Sequence, residues 1–427
     1  MLKRYLKNAI IKNAGWLIFG KVIQMLLSLV VGMLTARYLG PSNYGLINYA
    51  SAYTALFTAF CTLGINSVLV KEFVDNPVSE GEIIGSTLVL RAISSFLSAV
   101  MIICIVGIAD RDEPTTIAVT VLCSIGLVFN IFETYNYWFQ SKLMSKVTAI
   151  ASLAAYAITS GYKVVLLLSG KSVEWFAFAN ALDYICVGVF LSVCYKKAGG
   201  QRLSFSRSTC KRLLSSSVHF ILPSLMVATY GYSDRFMLKQ MQDETMVGYY
   251  STATAVCGMW CFVLSAIIDS MFPSIMEEYK CGNKEAFEMK NRQIYAIVFY
   301  LSVSISLLLC LLGKPVIRIL YGEAYLPAVV PLRVVTWYTA FSYLGVARNA
   351  WIVCESKQKY LKGIYVTAAV GNIFLNLLLI PVWAATGAAV ASLITQILTT
   401  MVVPFFIKDV RPNAVLMLEA ICLRKIR

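Results

Sequence analysis

Charged residues are scarce in this chain of 427 residues. Asp, Glu, Lys and Arg together make up 14% of it, whereas hydrophobic residues make up 59%. Such a composition excludes a soluble globular protein and indicates an integral membrane protein. Acidic residues are scarcest, 22 against 37 Lys and Arg. In a soluble domain this excess would suggest nucleic-acid binding, but between membrane spans it reports topology instead, so we expect no nucleic-acid partner.

Signatures of catalysis and of cofactor binding are also absent. The single histidine, His219, and the 12 cysteines show no CxxC motif and no Cys/His ligand spacing, so the sequence predicts no metal site. A Walker A glycine-lysine motif is missing as well, which excludes ATP as the direct energy source. We therefore expect a protein that is not an enzyme and that carries no cofactor.

Hydrophobic runs long enough to cross a bilayer recur along the whole chain. Because a helix rises 1.5 Å per residue, about 20 apolar residues span a hydrocarbon core of about 30 Å. Short loops with turn residues separate the runs, and no loop is long enough to form a separate domain. The sequence predicts an all-α protein of about twelve membrane spans, at residues 14–36, 44–64, 83–109, 115–139, 147–168, 174–195, 213–238, 248–274, 292–312, 328–352, 363–381 and 384–407.

The distribution of Lys and Arg between the loops supports this count. With the N-terminus placed in the cytoplasm, 25 of these residues fall on the cytoplasmic side, 6 fall outside and 6 lie within spans. Cytoplasmic loops are enriched in Lys and Arg, so twelve spans with both termini in the cytoplasm are favoured. Adding or removing one span would abolish the bias.

A weak internal repeat divides the chain in half. Gly45 and Ala50 correspond to Gly248 and Ala253 at a constant offset of 203 residues. Six spans per half give the two halves the same orientation, which is typical of two lobes around a central cavity that opens to each side in turn. The predicted parts are an N-terminal lobe (1–195), a basic cytoplasmic linker (196–212), a C-terminal lobe (213–407) and a basic cytoplasmic tail (408–427).

Charged side chains inside the predicted spans are the candidate functional residues, because a charge there is costly and commonly marks a pathway. Five cations are expected to bind an anionic substrate, namely Lys21, Arg91, Lys163, Arg235 and Arg348. Four acids are expected to bind a coupling ion or to pair with cations, namely Glu133, Asp183, Asp234 and Asp269. Polar residues expected to line the cavity are Gln24, Ser28, Asn130 and Gln140.

The charges admit more than one interpretation. Lys21 lies about two turns inside the first span, where it either extends to the nearby interface or lines an aqueous cavity together with Gln24 and Ser28. The other buried cations either bind substrate or pair with acids to hold helices together. A net cationic interior favours an anionic passenger, because guanidinium and ammonium groups match phosphate and carboxylate.

Several motifs resemble those of bacterial polysaccharide flippases, the O-antigen, capsule and exopolysaccharide transporters. These motifs are ARYLGPSNYG at 36–45, YWFQ at 137–140, SDRFMLKQMQDETMVGYYSTA at 233–253, LYGEAY at 320–325 and GNIFLNLLLIPVWAATGAAVA at 371–391. The family belongs to a superfamily that also holds multidrug and toxic compound extrusion transporters and the lipid II flippase. The resemblance covers almost the whole chain.

The resemblance implies a two-lobed bundle of twelve helices in the bacterial inner membrane. Such a protein moves an undecaprenyl-pyrophosphate-linked oligosaccharide from the cytoplasmic to the outer leaflet. Lys21, Arg91 and Lys163 correspond in kind to the cavity cations of the family. The implied partners are this lipid-linked oligosaccharide, bilayer lipid, the polysaccharide polymerase machinery and a coupling ion, H⁺ or Na⁺. The first two spans lack a strong arginine cluster, which argues against the peptidoglycan precursor as substrate.

Two other functions remain open. A drug or metabolite cation antiporter of the same fold would be expected to have an acidic cavity, which the net cationic count disfavours. A membrane scaffold for envelope assembly, without transport activity, would tolerate neutralisation of Lys21, Arg91 and Lys163, whereas a flippase would not.

Overall fold

A computed structural model describes the backbone of residues 2–424, and the side chains of residue 16 and of residues 20–424. Within this part of the chain the regular structure is entirely helical, as predicted. The α-helices are α1 (Leu2–Cys61), α2 (Asn66–Asp75), α3 (Glu80–Ala109), α4 (Pro114–Phe129), α5 (Thr134–Ser141), α6 (Ser145–Leu168), α7 (Val173–Lys197), α8 (Arg207–Met241), α9 (Glu244–Gly258), α10 (Cys261–Lys280), α11 (Lys284–Leu320), α12 (Val329–Cys354), α13 (Leu361–Ile397), α14 (Val403–Phe406) and α15 (Arg411–Ile421). Four short 3₁₀ turns and a π-helical stretch, Leu398–Val402, complete the regular structure of these residues.

Two of the longest helices each contain a break. Gly40, with φ 72°, interrupts α1, and Ala384, with φ 47°, interrupts α13. In the described residues eight helical stretches are long and apolar enough to cross a membrane, or nine if α9 and α10, which meet at a bend of 42°, count as one span. The chain is therefore a multi-pass membrane protein, while the number twelve stays a prediction.

The chain forms two compact units. Unit 1 comprises Met1–Leu39 and Leu46–Ala228, and unit 2 comprises Gly40–Gly45 and Thr229–Arg427. Helix α8 thus starts in unit 1 and ends in unit 2. The lobe boundaries at residues 195 and 213 stay predictions.

The YWFQ motif belongs to a dense core at one end of unit 1. Phe139 is fully buried in a cluster that also includes Phe73, Ile83 and Tyr195. The indole N–H of Trp138 donates to the buried carboxylate of Glu80, at 2.7 Å, and Lys142 pairs with the same carboxylate. Because a buried charge is tolerated only when it is paired, these contacts tie the end of α5 to the start of α3.

Residues 201–206 form an extended segment, which we call the strap, that crosses the first turns of α3 within unit 1. Its carbonyl oxygens lie so close to Gly81 and Gly85 that a Cβ atom at either position would overlap them. The Gly81 amide donates to Gln201 Oε1 at 2.9 Å, and the Ser206 amide donates to Ser86 Oγ at 3.0 Å. Small residues one helical turn apart thus let an extended backbone lie flat on a helix.

Two glycines at corresponding positions of the predicted repeat lie at a close backbone contact inside unit 2. A Cβ atom on Gly45 would overlap the carbonyl oxygen of Glu244, and a Cβ atom on Gly248 would overlap that of Pro41. Gly45 and Gly248, like Pro41 and Glu244, are separated by the repeat offset of 203 residues. Such a reciprocal backbone contact agrees with the offset, whereas the repeat across six spans stays a prediction.

The substitution Gly248→Ala is predicted to destabilise the protein. The new methyl group would have to displace the backbone at Pro41, and overpacking of this kind costs about 1–3 kcal/mol. Thermal unfolding of the purified protein in detergent, followed by tryptophan fluorescence, should show a lower Tm. Gly371→Ala is the matched control, because no atom lies within 4 Å of its added Cβ and alanine is the better helix former. Equal Tm values for the two variants would contradict the close contact.

Candidate functional site

A cavity of about 210 Å³ with charged and hydroxyl-bearing side chains in its walls lies inside unit 2. Its walls come from one face each of several helices, since the lining residues recur at helical spacing. They are Tyr230, Gly231, Asp234 and Arg235 from α8, Tyr250, Thr254, Cys257 and Gly258 from α9, Cys261 from α10, Val335, Tyr338, Thr339 and Tyr343 from α12, and Ser392 from α13. We call it the unit-2 cavity. Charged side chains inside a membrane protein are candidate contacts for a polar ligand or an ion.

Asp234 is the buried acid of the unit-2 cavity, with 4% of its surface exposed. Its carboxylate accepts hydrogen bonds from the Tyr250 hydroxyl, from Ser392 Oγ at 2.7 Å and from Asn376 Nδ2 at 2.6 Å. All three donors are neutral, so the negative charge is hydrogen-bonded but is not balanced by these contacts. The sequence analysis included Asp234 among four acids but had no means of ranking it first.

Two asparagines behind Asp234 extend the polar cluster, and the sequence analysis missed both. Asn372 and Asn376 lie one turn apart on α13, and Asn376 Nδ2 also donates to Asn372 Oδ1 at 3.1 Å. Within the described residues the buried Asn376 Oδ1 atom has no hydrogen-bond partner. Two amides spaced four residues apart in the apolar run GNIFLNLLLIP were the available signal. The cluster therefore has oxygen atoms that can serve as ligands for a small cation.

Arg235 is the cation that lines the unit-2 cavity. Its Nε atom donates to Ser251 Oγ at 3.2 Å, and its guanidinium lies 5.5 Å from the centre of the Tyr232 ring. The side chain is half-buried, so the guanidinium is not sealed in the core. Arg235 can therefore present donors to an anionic group that enters the cavity.

In unit 1 a second polar surface contains Lys163 and Asp183, which interact electrostatically and are both half-buried. The neighbouring hydroxyls of Thr159 and Ser160 and the Asp183 Oδ1 atom lack hydrogen-bond partners within the described residues. Asn180 Nδ2 donates weakly to Ser51 Oγ at 3.4 Å. Buried polar atoms without protein partners are typical of sites that hold water or polar ligands.

Arg91 occupies the core of unit 1, with 1% of its surface exposed. It donates to Asn66 Oδ1 at the start of α2, while Ser94 Oγ donates to the carbonyl of Cys61 at the end of α1. Its charge also interacts with that of Glu133. These contacts bring Arg91 to the break between α1 and α2, where the unpaired carbonyls of a helix C-terminus attract a cation.

Arg348 is equally buried, in unit 2, with 3% of its surface exposed. Its Nη1 atom donates to the carbonyl of Thr399 at 3.3 Å, in the π-helical stretch Leu398–Val402. A π turn leaves carbonyl groups out of the regular ladder, so a fixed donor stabilises it. The contacts of Arg348 are therefore structural.

The remaining predicted site residues differ in exposure. Lys21, Ser28, Gln140 and Asp269 are exposed, Gln24 and Glu133 are half-buried, and Asn130 is buried. None of them lines the unit-2 cavity. Their predicted roles stay predictions.

A larger cavity of about 700 Å³ lies at another end of unit 2, beside α15. Its charged walls are largely paired with one another: Arg292 bridges Glu288 at 3.0 Å and Glu419 at 2.6 Å. The pKa of the Asp409 carboxyl is lowered by the Tyr360 hydroxyl, which donates to it, and by the charge of Lys357. The ion pair between Arg292 and Glu419 attaches α15 to α11. Because its charges are paired in this way, the cavity is a weaker candidate for a binding site. Across the described residues no group of three or more His, Cys, Asp or Glu side chains is arranged to hold a metal ion.

Comparison with known proteins gives a family match over more than half of the chain. The family described as "Polysaccharide biosynthesis protein" matches residues 10–278. That range includes the residues of α8, α9 and α10 that line the unit-2 cavity, Asp234 and Arg235 among them. It also includes all of the polar surface in unit 1.

Individual relatives agree with this match at low identity. The chain is 21% identical to the capsular polysaccharide biosynthesis protein CapF of Staphylococcus aureus, over 94% of this chain and 100% of CapF. It is 20% identical to a Shigella flexneri protein inferred to be an O-antigen transporter, over 74% and 78% of the two chains. Among solved structures, the lipid II flippase MurJ in an inward closed conformation superimposes with a TM-score of 0.70 at 14% identity, over 95% of this chain and 92% of MurJ. At that identity the structural likeness shows the fold alone.

The variant Arg91→Gln is predicted to lower stability, whereas Lys21→Gln is predicted to leave it unchanged. Arg91 is buried at the α1–α2 break, and its loss would leave Glu133 without its cation, which costs about 3 kcal/mol or more. Lys21 is exposed, so its neutral replacement changes little. Thermal unfolding of both variants in detergent measures the difference. An unchanged Tm for Arg91→Gln would show that Arg91 does not hold the break, and would favour a substrate contact instead.

Proposed function

The chain belongs to the polysaccharide biosynthesis protein family, and we propose that it flips a polyprenyl-pyrophosphate-linked oligosaccharide across the bacterial cytoplasmic membrane. The repeat unit would serve cell-surface polysaccharide assembly, such as O-antigen, capsule or exopolysaccharide. The observation that carries the proposal is the unit-2 cavity, which has one buried acid and one cation in its walls, in a chain of the polysaccharide biosynthesis protein family. Alternating access by two lobes is the movement that suits such a carrier.

The physical task of this carrier is to shield a charged sugar-diphosphate head group from hydrocarbon. Each unsatisfied polar group costs several kcal/mol in the bilayer core, so the head group needs hydrogen-bonding surfaces while its lipid tail stays among the bilayer lipids. We assign a contact with the pyrophosphate to Arg235, which is half-buried and lines the unit-2 cavity. Lys163 is half-buried beside the polar surface of unit 1, and we propose it as a separate contact for the anionic head group during its passage. Arg91 and Arg348 instead keep the structure in place through their buried contacts.

We assign the coupling ion, a proton or a sodium ion, to Asp234. Glu133 and Asp183 each interact with a buried or half-buried cation, Arg91 and Lys163 respectively. Asp234 instead receives neutral donors and lies next to the unpartnered Asn376 Oδ1 atom. We propose Asp234 on this geometry, because carboxylate and amide oxygens are the ligands that a small cation prefers.

The membrane potential is a second energy source for the same carrier. It is worth about 2.3 kcal/mol per elementary charge per 100 mV, and a negative cell interior favours outward movement of an anion. We also propose that the Lys-rich and Arg-rich loops face the cytoplasm, with both termini there, since cytoplasmic loops are enriched in Lys and Arg. Delivery to a polysaccharide polymerase on the outer side would follow from the same direction.

A cation antiporter is the second candidate function, and the unit-2 cavity contains one feature that favours it. Asp234 with the rings of Tyr230, Tyr338 and Tyr343 is a combination that binds organic cations. Arg235 in the same cavity opposes this, because its charge repels a cationic drug.

A scaffold without transport activity is distinguished by the first of the following tests, since a scaffold would tolerate loss of the cavity charges.

Neutralising Arg235 or Lys163 is predicted to block export of lipid-linked intermediates. A strain deleted for this protein should accumulate lipid-linked oligosaccharide in the cytoplasmic leaflet. Wild type should clear it, whereas Arg235→Gln and Lys163→Gln, inserted at wild-type levels, should clear it at least tenfold more slowly. Arg333→Gln is the matched control, because Arg333 is exposed and lines neither cavity.

The outcomes separate the candidate functions. If deletion leaves the intermediates unchanged, the flippase proposal is wrong and sensitivity to cationic drugs becomes the test of antiport. If deletion causes accumulation but both Gln variants restore clearance, the assignment of these two cations is wrong.

Replacing Asp234 by Asn is predicted to remove the ion dependence of transport. Proteoliposomes with a fluorescent undecaprenyl-pyrophosphate-linked sugar report flipping under an imposed pH or sodium gradient. Wild type should respond to one of the two gradients, and Asp234→Asn should respond to neither. Asp269→Asn is the control, since Asp269 is exposed and should retain the wild-type response. Equal responses of wild type and Asp234→Asn would exclude Asp234 as the coupling residue.

A further inference from the structure

The strap, residues 201–206, presents an unusual combination of side chains to its surroundings. Leu203 is 47% exposed and Phe205 is 60% exposed, although both are large and apolar. Around them the segment 196–212 carries six Lys and Arg residues and no acid. Lys196, Lys197, Arg202, Arg207 and Lys211 are exposed, and within the described residues they form no ion pair.

The strap cannot turn these side chains inward, because its backbone is fixed. Ser204 N donates to the Gly81 carbonyl at 3.3 Å, and Gln201 Nε2 donates to the Pro77 carbonyl at 3.1 Å. The Tyr195 hydroxyl donates to the Gln201 carbonyl at 2.8 Å, and the glycines of α3 hold the chain at close range. A flexible linker would bury its apolar side chains or move them, whereas this one holds them at the surface.

The level of the strap in the membrane follows from the helices that it joins. Helix α7 ends at Lys197, α8 begins at Arg207, and the strap lies on the first turns of α3, which begins at Glu80. All three helices belong to stretches that are long and apolar enough to cross the bilayer. The strap therefore lies where three spans end, at the level of the lipid head groups.

We propose that the strap is a binding surface for anionic phospholipid. Leu203 and Phe205 insert among the acyl chains near the head groups, and the flanking Arg and Lys side chains bind the lipid phosphates. A polybasic segment next to a membrane helix gains several-fold in affinity for anionic lipid from each cation, and apolar side chains add a contribution that salt does not screen. This site is separate from the unit-2 cavity and does not depend on the proposed transport function.

The test compares lipids retained by the full-length protein. Protein purified in mild detergent is given phosphatidylglycerol or phosphatidylcholine, and bound lipids are counted by native mass spectrometry at low and high ionic strength. The charge variant is Arg202→Gln with Arg207→Gln and Lys211→Gln. The apolar variant is Leu203→Ser with Phe205→Ser. Neither variant changes Gln201, Ser206 or the glycines that attach the strap, so both should fold.

The matched control removes three exposed cations elsewhere, in Arg111→Gln with Lys171→Gln and Lys314→Gln. Wild type and this control should retain phosphatidylglycerol in at least fivefold preference to phosphatidylcholine at low salt. The charge variant should lose that preference, and the apolar variant should retain less of both lipids at either ionic strength. A charge variant with the wild-type preference, or a wild type with none, would overturn the proposal.

Discussion

The absence of water from the bilayer core is the constraint on which this structure depends. In that medium a charge or a backbone group without a partner costs several kcal/mol, so each interior charge must be explained by its neighbours. Arg91 donates a hydrogen bond to Asn66 and interacts electrostatically with Glu133, and Arg348 donates a hydrogen bond to the carbonyl of Thr399. Asp234 has three hydrogen-bond donors to its carboxylate, from Tyr250, Asn376 and Ser392. Of these three buried charges it has the most side-chain hydrogen bonds, and it is the one that lines the unit-2 cavity.

At two interruptions of regular helix, the connection from α1 to α2 and the π-helical stretch Leu398–Val402, side chains supply hydrogen bonds. At the end of α1 the freed Cys61 carbonyl accepts from Ser94, and Asn66 at the start of α2 accepts from Arg91. At the π-helical stretch the freed Thr399 carbonyl accepts from Arg348. Arg348 thus bonds irregular backbone directly, whereas Arg91 bonds the side chain at the start of α2. The substrate contacts predicted for the two arginines stay predictions.

Hydrophobicity and charge distribution were sufficient to predict the fold class, since a chain with so few charges has few alternatives to a helical membrane bundle. Gly45 and Gly248, which the offset of 203 residues pairs, lie at a close backbone contact in the structure, while the repeat itself stays a prediction. The cavity was harder to predict because α8, α9 and α10 line it together with α12 and α13, two groups of helices that are separated in sequence by α11. Asp234 and Asp269 are both acids in predicted spans, and only packing reveals that the first is buried and the second exposed.

Helix α8 connects the surfaces to which we have assigned functions. It begins at Arg207 beside the strap, contains Pro223, and carries Asp234 and Arg235 near its other end. Pro223 lacks an amide hydrogen, so the ladder of α8 is weakened between its two ends, and it is near there that the helix passes from unit 1 to unit 2. The first half of the helix is anchored by the glycine-bound strap, whereas the second half forms a wall of the cavity.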